Sequence, residues 1–382
     1  MSKAPTLQAA SFAAIESMAA LQEACRSWRR EPRLGLDTEF ERSRTYYPRP
    51  ALLQVATRTG NYLIDPLRLS DLEPFFALLR EGDILKVMHS ASEDVEIFFR
   101  MAGAVPRPVF DTQIAATLSG YGHAPSYRRL VAEVLGVALP KDVTRSNWLN
   151  RPLSCAQRTY AALDVAYLLP LYERLAGELA RAGRDTWARE EFHGLLDEER
   201  FDPDPDSAYL RVRGARELSR RERAALQHLC AWREREARRR DLPRGFVVRD
   251  PALLAMARRS PRTASELVAA GLHRREAARS GETLLGLIRA ALEAPENELP
   301  QPGPARVDPR EHGALLARLK RIVASKAEAL RLPPPFLAPR ESIEALVRAW
   351  RVDGRKQLPA ELTGWRRSVV GDALVAELER SP

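Results

Sequence analysis

The chain has 382 residues, 45% of them hydrophobic, and carries 60 Lys and Arg against 51 Asp and Glu for a net charge of +9. That length exceeds one ordinary core and predicts two or three domains. No apolar run reaches membrane-spanning length, the opening Met1-Ser2-Lys3-Ala4-Pro5 does not read as a secretory signal, and three scattered cysteines (Cys25, Cys155, Cys230) fit a reducing cytosol and offer no metal-site spacing.

Residues 11–30 read as a helix, with Ile15, Met18, Leu21, Cys25 and Trp28 at three- and four-residue steps and Ser11 as its cap. Leu34-Gly35-Leu36-Asp37-Thr38-Glu39-Phe40 then reads as a short buried strand. Residues i and i+2 of a strand share a face, so Asp37 and Glu39 project together. Two such carboxylates raise each other's pKa unless a cation lies between them, and a hard divalent ion with oxygen ligands relieves that repulsion. A lone Asp-x-Glu is ordinarily a pair of solvated acids, so the pattern gains weight only from further acids downstream.

A polar, aromatic loop follows at Arg42–Pro48. Residues 51–56 and 61–64 read as strands joined at Arg58-Thr59-Gly60, giving an antiparallel meander with the first strand. Asp71–Leu79 reads as a short amphipathic helix and Ile84–Met88 as a strand. The strand runs into His89-Ser90-Ala91-Ser92-Glu93-Asp94, where Ser90 and Glu93 have capping-box spacing and Gly103 closes the helix. Strand-to-helix junctions are where α/β sheets place their sites. Asp94 sits there in the first helical turn, where an acid also favours the helix dipole. Pro108–Gln113 is a strand leading into a helix with Asp111 as its N-cap, with no chemistry assigned to it. Tyr127–Leu135 is a helix ended by Gly136. Lys141–Trp148 is a polar loop with two cations, bordering a phosphate-bearing substrate or simply solvated. The next helix starts at Pro152–Gln157 with Ser-x-x-Gln spacing and puts Tyr160 and Asp164 on one face, amid Ala161, Ala162, Leu163, Val165 and Ala166.

Phe201–Asp206, rich in Pro and Asp, marks a boundary. Beyond it the pattern is helical. Residues 1–200 carry 25 basic and 26 acidic side chains, and residues 201–382 carry 35 and 25, so the positive charge belongs to the C-terminal half and points to a polyanionic partner. Arginine is dense there: Arg211, Arg213, Arg216, Arg220, Arg221, Arg223, Arg233, Arg235, Arg238, Arg239 and Arg240. Two helical stretches share a layout of a long helix, then Leu-Pro (Leu242-Pro243; Leu332-Pro333), then an apolar pair opening on Phe246 or Phe336, which reads as a diverged tandem repeat. The expected domains are 1–205, 206–293 and 310–382, with a proline-rich linker over 294–309.

Asp37, Glu39, Asp94 and Asp164 come from three separated elements. Such a set converges around cations, and two divalent ions fit phosphoryl-transfer chemistry, with Tyr160 one turn before Asp164 to orient a water. Asp37-Thr38-Glu39-Phe40, His89-x4-Asp94 and Tyr160-x3-Asp164, in that order, resemble the three motifs of the tyrosine-type DEDD 3′→5′ exonucleases. Thr45-Tyr46-Tyr47-Pro48, Asp111-Thr112-Gln113 and Trp148-Leu149-Asn150-Arg151-Pro152-Leu153 narrow the resemblance to the ribonuclease D family, and the two helical stretches resemble its paired HRDC domains. The resemblance covers nearly the whole chain and is weakest in the second helical stretch.

The resemblance implies an α/β RNase H-like exonuclease domain, a mixed sheet flanked by helices, followed by two all-α HRDC-like domains. It implies stepwise hydrolysis from single-stranded RNA 3′ ends to nucleoside 5′-monophosphates, with tRNA precursors as substrates, in the bacterial cytoplasm, without a membrane or an obligate protein partner. Asp37, Glu39, Asp94 and Asp164 would hold two Mg²⁺ or Mn²⁺, Tyr160 would position the nucleophilic water, and Thr38, Phe40, His89 and Lys141 would touch substrate. The basic helical half would hold the RNA. Two other readings stay open at this point: a DNA exonuclease of repair type, and a nucleic-acid-binding scaffold whose helical units do the work.

Overall fold

The computed structural model of the chain describes residues 11–140, 146–301, 307–351, 354 and 357–380. It opens on a strand where a helix was expected: β1 (Phe12–Ile15) precedes α1 (Met18–Trp28), and the cap is Ser17, whose side chain accepts from Ala20 N, not Ser11. Ile15 fits the helical spacing of the residues after it. Its burial instead comes from parallel pairing with Ile64. Four residues are too few for local pattern to outweigh pairing with a neighbouring strand.

The elements that follow are β2 (Arg33–Glu41), β3 (Arg49–Ala56), β4 (Asn61–Ile64), α2 (Glu73–Arg80), β5 (Leu85–Met88), α3 (Ser92–Ala102), β6 (Val109–Asp111), α4 (Thr112–Leu118), α5 (Tyr127–Leu135), α6 (Cys155–Ala166), α7 (Leu168–Ala182) and α8 (Asp185–Leu195). The strands form one sheet in the order β1-β4-β3-β2-β5-β6. β3 and β4 are antiparallel; β1 with β4, β2 with β5, and β5 with β6 are parallel. Gly35 of β2 faces Val87 of β5, so carrying the register two residues further sets Asp37 beside the junction from β5 to α3.

Gly35 is needed where it stands. A Cβ there would meet Ala56 Cβ at 3.1 Å and Leu168 Cβ at 3.2 Å. The missing side chain lets the start of α7 close on β2, two residues before Asp37 and four after Asp164. Lys86, fully buried on β5, donates its Nζ to the carbonyls of Glu81 and Arg107, each at 2.6 Å. Burial lowers its pKa to about 8.

Two helical stretches complete the chain. The first holds α9 (Arg220–Arg240), α10 (Arg244–Val247), α11 (Asp250–Arg259), α12 (Ala264–Ala269) and α13 (Arg274–Glu293); the second holds α14 (Pro309–Leu330), α15 (Pro334–Leu337), α16 (Arg340–Arg351) and α17 (Asp372–Arg380). The expected repeat is visible in the backbone. α9 ends at Asp241 (φ 46°) and α14 at Arg331 (φ 54°), both left-handed. Leu242 N then bonds to Ala237 O at 3.0 Å and Leu332 N to Ala327 O at 2.8 Å, closing each helix before Leu-Pro and a four-residue helix.

Packing divides the chain into two units: Met1–Phe40, Pro50–Glu198 and Arg306–Pro382 in one, Glu41–Arg49 and Glu199–Ala305 in the other. In the first unit, Trp365 stacks on Trp187 of α8 with centroids 4.6 Å apart and planes 13° from parallel, and its indole Nε1 donates to Glu191 Oε1 at 2.7 Å. Arg184 Nη2 donates to Leu330 O at 2.7 Å. Leu171, Leu175 and Phe192 join Leu319, Leu346 and Leu374 in one hydrophobic cluster.

In the second unit, the loop after β2 is embedded among the helices. Tyr46 is buried, and its hydroxyl donates to Glu234 while accepting from Arg238 Nε at 3.1 Å and Arg244 Nη2 at 3.0 Å. Asp241 accepts from the backbone N–H of Tyr46 at 3.0 Å and of Tyr47 at 3.1 Å. Tyr46→Phe removes the one hydroxyl shared by these three charged groups, so urea unfolding of the full chain should show this unit weakened by roughly 1–3 kcal/mol. An unchanged urea midpoint would contradict that role.

Many of the arginines in this helical stretch are also paired inside their own unit. Arg220 and Arg221 bind Glu296 and nearby carbonyls, Arg223 the carbonyls of Leu218 and Gln301, Arg233 Asp250, and Arg235 Asp206. Arg238 binds Asp202, Arg239 binds Glu236, and Arg240 binds Glu276. A charge count along the chain does not see these pairings.

Candidate active site

The acids sit where the parallel strands end. Asp37 and Glu39 lie half-buried near the end of β2, Asp94 is buried in the first turn of α3, and Asp164 is half-buried on α6. The start of α3 is set differently from expectation. Its cap is Ala91 with no side-chain bond, so the Ser90–Glu93 box does not form, and Ser90 takes φ 58°. The buried carboxylate of Asp111 does that work instead, accepting from Ala91 N at 2.8 Å and Ser90 N at 3.3 Å. It also caps α4 as expected, accepting from Gln113 N at 2.7 Å and Ile114 N at 3.1 Å. A distant carboxylate gives better N–H acceptors to this bend than Ser90, whose left-handed backbone turns it out of the capping position. Gly103 ends α3 at φ 67°, and Ser154 with Gln157 forms the capping box that starts α6, both as expected.

The side chains interact. Burial pushes the Asp37 carboxyl well above the usual range, and the charges of Asp94, Asp164 and Glu39 push it further. Burial followed by Asp164 and Asp94 raises Glu39 to about 8. Burial raises Asp94 to about 7, against the opposing hydrogen bond from Thr38 Oγ1. The groups acting most strongly on these three acids include no basic side chain. An all-oxygen anionic donor set of this kind suits a hard divalent cation. Among the described residues, no three His, Cys, Asp or Glu side chains are drawn together as a finished ligand set. One oxygen of Asp94 is engaged by Thr38, and the acids stand as mutually repelling neighbours.

Tyr160 is half-buried one turn before Asp164, its ring 6.0 Å from that of Trp148. A cleft of about 190 Å³ opens beside Tyr160 and Asp164, walled by Tyr127, Arg128, Leu139 and Leu163. Thr38 is buried, with its hydroxyl committed to Asp94, and Phe40 is half-buried at the end of β2. His89 is held inside the fold: its Nδ1 pairs with Thr112 Oγ1 at 2.9 Å, its ring lies edge-on to Tyr127 at 5.5 Å, and burial lowers its pKa. Lys141 lies outside the described residues.

Sequence reading missed Tyr127. Its hydroxyl donates to Leu163 O at 3.1 Å and accepts from Tyr167 N at 3.0 Å, pinning the end of α6 that carries Asp164. Burial, with Asp164 and Asp37 nearby, pushes its phenol well above the ordinary range. A tyrosine at the first position of an amphipathic helix carries no mark of this role.

Residues 12–180 match a family model described as 3′-5′ exonuclease. Residues 222–288 match an HRDC domain, and residues 311–374 match the C-terminal HRDC domain of ribonuclease D. Ribonuclease D of Pseudomonas paraeruginosa is 40% identical over 96% of this chain and 97% of its own length. The chain belongs to the ribonuclease D family. Ribonuclease D of Escherichia coli is 36% identical over 95% of this chain and 97% of its own. The crystal structure of Escherichia coli RNase D, an exoribonuclease involved in structured RNA processing, superimposes with a TM-score of 0.89 over 97% of this chain and 100% of that one. The fold is therefore the one expected: a mixed sheet flanked by helices, then helical HRDC domains. The chain is a 3′→5′ exoribonuclease, a hydrolase of a ribonuclease D family that depends on divalent metal. The scaffold and DNA-repair readings give way to this one.

Proposed function

We propose that this chain trims single-stranded 3′ ends of RNA one nucleotide at a time, tRNA precursors among them, and releases nucleoside 5′-monophosphates. The observation that carries the reading is the convergence of the acids: Asp94 and Asp164 raise both Asp37 and Glu39, and burial raises Asp94 itself. In this reading these four side chains hold two divalent ions, Mg²⁺ or Mn²⁺. Bound there, such ions activate water and offset charge on the departing oxygen. Because the acids sit with raised pKa values, they release protons as they take up cation. Tyr160, on the helix face that carries Asp164, positions the nucleophilic water with its phenol. Phe40, at the end of β2, stacks against the terminal bases, and the cleft beside Tyr160 receives the last nucleotide. Thr38 and His89 are proposed as substrate contacts, the Thr38 hydroxyl also fixing Asp94. Lys141 is proposed as a further substrate contact.

The domains are proposed as 1–205 for the exonuclease, 206–293 and 310–382 for the HRDC domains, and 294–309 for the linker. The cytoplasm is the proposed location; among the described residues no helix is long and apolar enough to cross a membrane.

The test is a 5′-labelled RNA with a single-stranded 3′ tail, incubated with Mg²⁺ or Mn²⁺ beside the same sequence as DNA and an Asp164→Ala control. A ladder shortening from the 3′ end on RNA, absent from the control, is the expected result. An equal ladder from Asp164→Ala would overturn the site. Faster digestion of the DNA would overturn the substrate.

A further inference from the structure

The second packing unit contains a cavity of about 490 Å³ between the residues before α9 and the α10–α11 corner. That volume falls in the range of small-molecule sites and holds a nucleotide. Four guanidinium groups line it, from Arg211, Arg233, Arg244 and Arg249, with two carboxylates, Glu234 and Asp250. Both carboxylates are already neutralised. Arg244 grips Glu234 through two bonds of 2.5 and 2.7 Å, and the buried Arg233 binds Asp250 at 2.5 Å and Val248 O at 3.0 Å. The side chains of Arg211 and Arg249 have no ion-pair or hydrogen-bond partner among the described residues. Two positive charges, on the exposed Arg211 and Arg249, are thus left over in its lining. A phosphate monoester, carrying about −1.5 to −2 at neutral pH, matches that surplus, and guanidinium forks match its oxygens.

A second observation points to what the phosphate is attached to. Phe246, next in the chain to the cavity residue Gly245, is 66% exposed. Its counterpart in the repeat, Phe336, is covered: the Arg366 guanidinium lies 5.2 Å above its ring, and Trp365 packs 6.3 Å away. The same position is therefore built to carry a planar cap, and in the first repeat none of the described residues supplies one. A nucleobase stacks on an exposed aromatic of this kind.

We propose that this cavity binds a nucleoside 5′-phosphate, with the phosphate on Arg211 and Arg249 and the base on Phe246. The chemistry has two sources: the free mononucleotide that hydrolysis releases, or the 5′-phosphorylated end of an RNA.

The test uses the full chain in EDTA and titrates adenosine 5′-monophosphate, adenosine, and an RNA octamer with either a 5′-phosphate or a 5′-hydroxyl, read by calorimetry. Adenosine 5′-monophosphate should bind roughly tenfold or more tightly than adenosine. Arg249→Ala should remove that preference, and Phe246→Ala should weaken binding by roughly five- to a hundredfold. Gly245→Trp fills the cavity while keeping its charges, and a Cβ there meets nothing within 4 Å, so that variant should fold and not bind. Binding of the free nucleotide assigns the site to the product; binding of the 5′-phosphorylated octamer alone assigns it to the end of an RNA. Either result supports the site. Affinities unchanged in Gly245→Trp and Arg249→Ala, or no preference for phosphate in any ligand, would overturn it. The readout is binding without metal, so it stands apart from whether the carboxylates hydrolyse RNA.

Discussion

Asp37→Asn should hydrolyse RNA at least roughly a thousandfold more slowly than wild type, since losing a proposed metal ligand removes several kcal/mol of transition-state stabilisation. The same variant should be more stable than wild type when metal is absent. Asp37 faces the charges of Asp94, Asp164 and Glu39, and asparagine keeps its shape without the charge. The pH dependence follows from the direction of the shifts. Glu39 at about 8 and Asp94 at about 7 hold protons in the folded chain that the unfolded chain has already released. Their contribution to stability is complete below the ordinary carboxylate range and is lost as pH rises through about 7 to 8. In EDTA the unfolding temperature of wild type should therefore fall between pH 5 and pH 8, and Asp37→Asn should flatten that fall. Added Mg²⁺ should stabilise wild type more at pH 8 than at pH 6, because it binds the deprotonated acids. Calorimetry across that range, with release of single nucleotides as the rate, measures both halves. Full activity in the variant, or stability of wild type rising with pH in EDTA, would remove the acid cluster from the catalytic account.

Trp365→Ala should cost about 3–5 kcal/mol, the ordinary effect of emptying a buried aromatic site. Trp365 is 4% exposed, lies flat on Trp187, and is bonded to Glu191 through its indole. Its neighbour Arg366 also binds Glu191 and covers the Phe336 ring. Because these contacts tie residues after Arg306 to α8 in one packing unit, the loss should appear as earlier unfolding of the sheet-bearing part. Thermal inactivation of nuclease activity should move down with the unfolding temperature. A variant in which the last helices melt early while nuclease inactivation stays at the wild-type temperature would show the two parts to be independent.

Strong local signals carried the sequence reading. The Asp-x-Glu strand, the α6 capping box, Gly103, Gly136 and the Asp111 cap are all where their residue types put them, because each depends on neighbours a few positions away. β1 was read as helix because four residues at a sheet edge owe their state to a partner far along the chain, here Ile64 and its neighbours. The turn into α3 was misread for the same reason, since its hydrogen-bond acceptor, Asp111, comes from another strand. Within the site, the acids were legible because carboxylates among apolar residues demand an explanation. Tyr127 was not, since its value lies in two backbone partners at Leu163 and Tyr167. The charge of the helical half was legible as a sum but not as a field, because pairing of Arg220, Arg238 and their neighbours is a tertiary fact.

The grouping of residues after Arg306 with the sheet has a consequence for how the chain is made. A ribosome delivers the sheet strands and the acids first, the intervening helices next, and Trp365 with its surroundings after them. Until then the faces of α7 and α8 that meet Leu319, Leu346 and Trp365 have no covering, although the residues proposed to do the chemistry already exist. The helices of Glu199–Ala305 form their own hydrophobic cluster and are complete well before the end of synthesis. The middle of the polypeptide thus finishes before its beginning does. A nascent chain stalled ahead of residue 306 would carry every proposed ligand while the apolar faces of α7 and α8 stayed exposed to chaperones and proteases. Synthesis of residues 306–380 would then cover those faces and make the sheet-bearing unit durable.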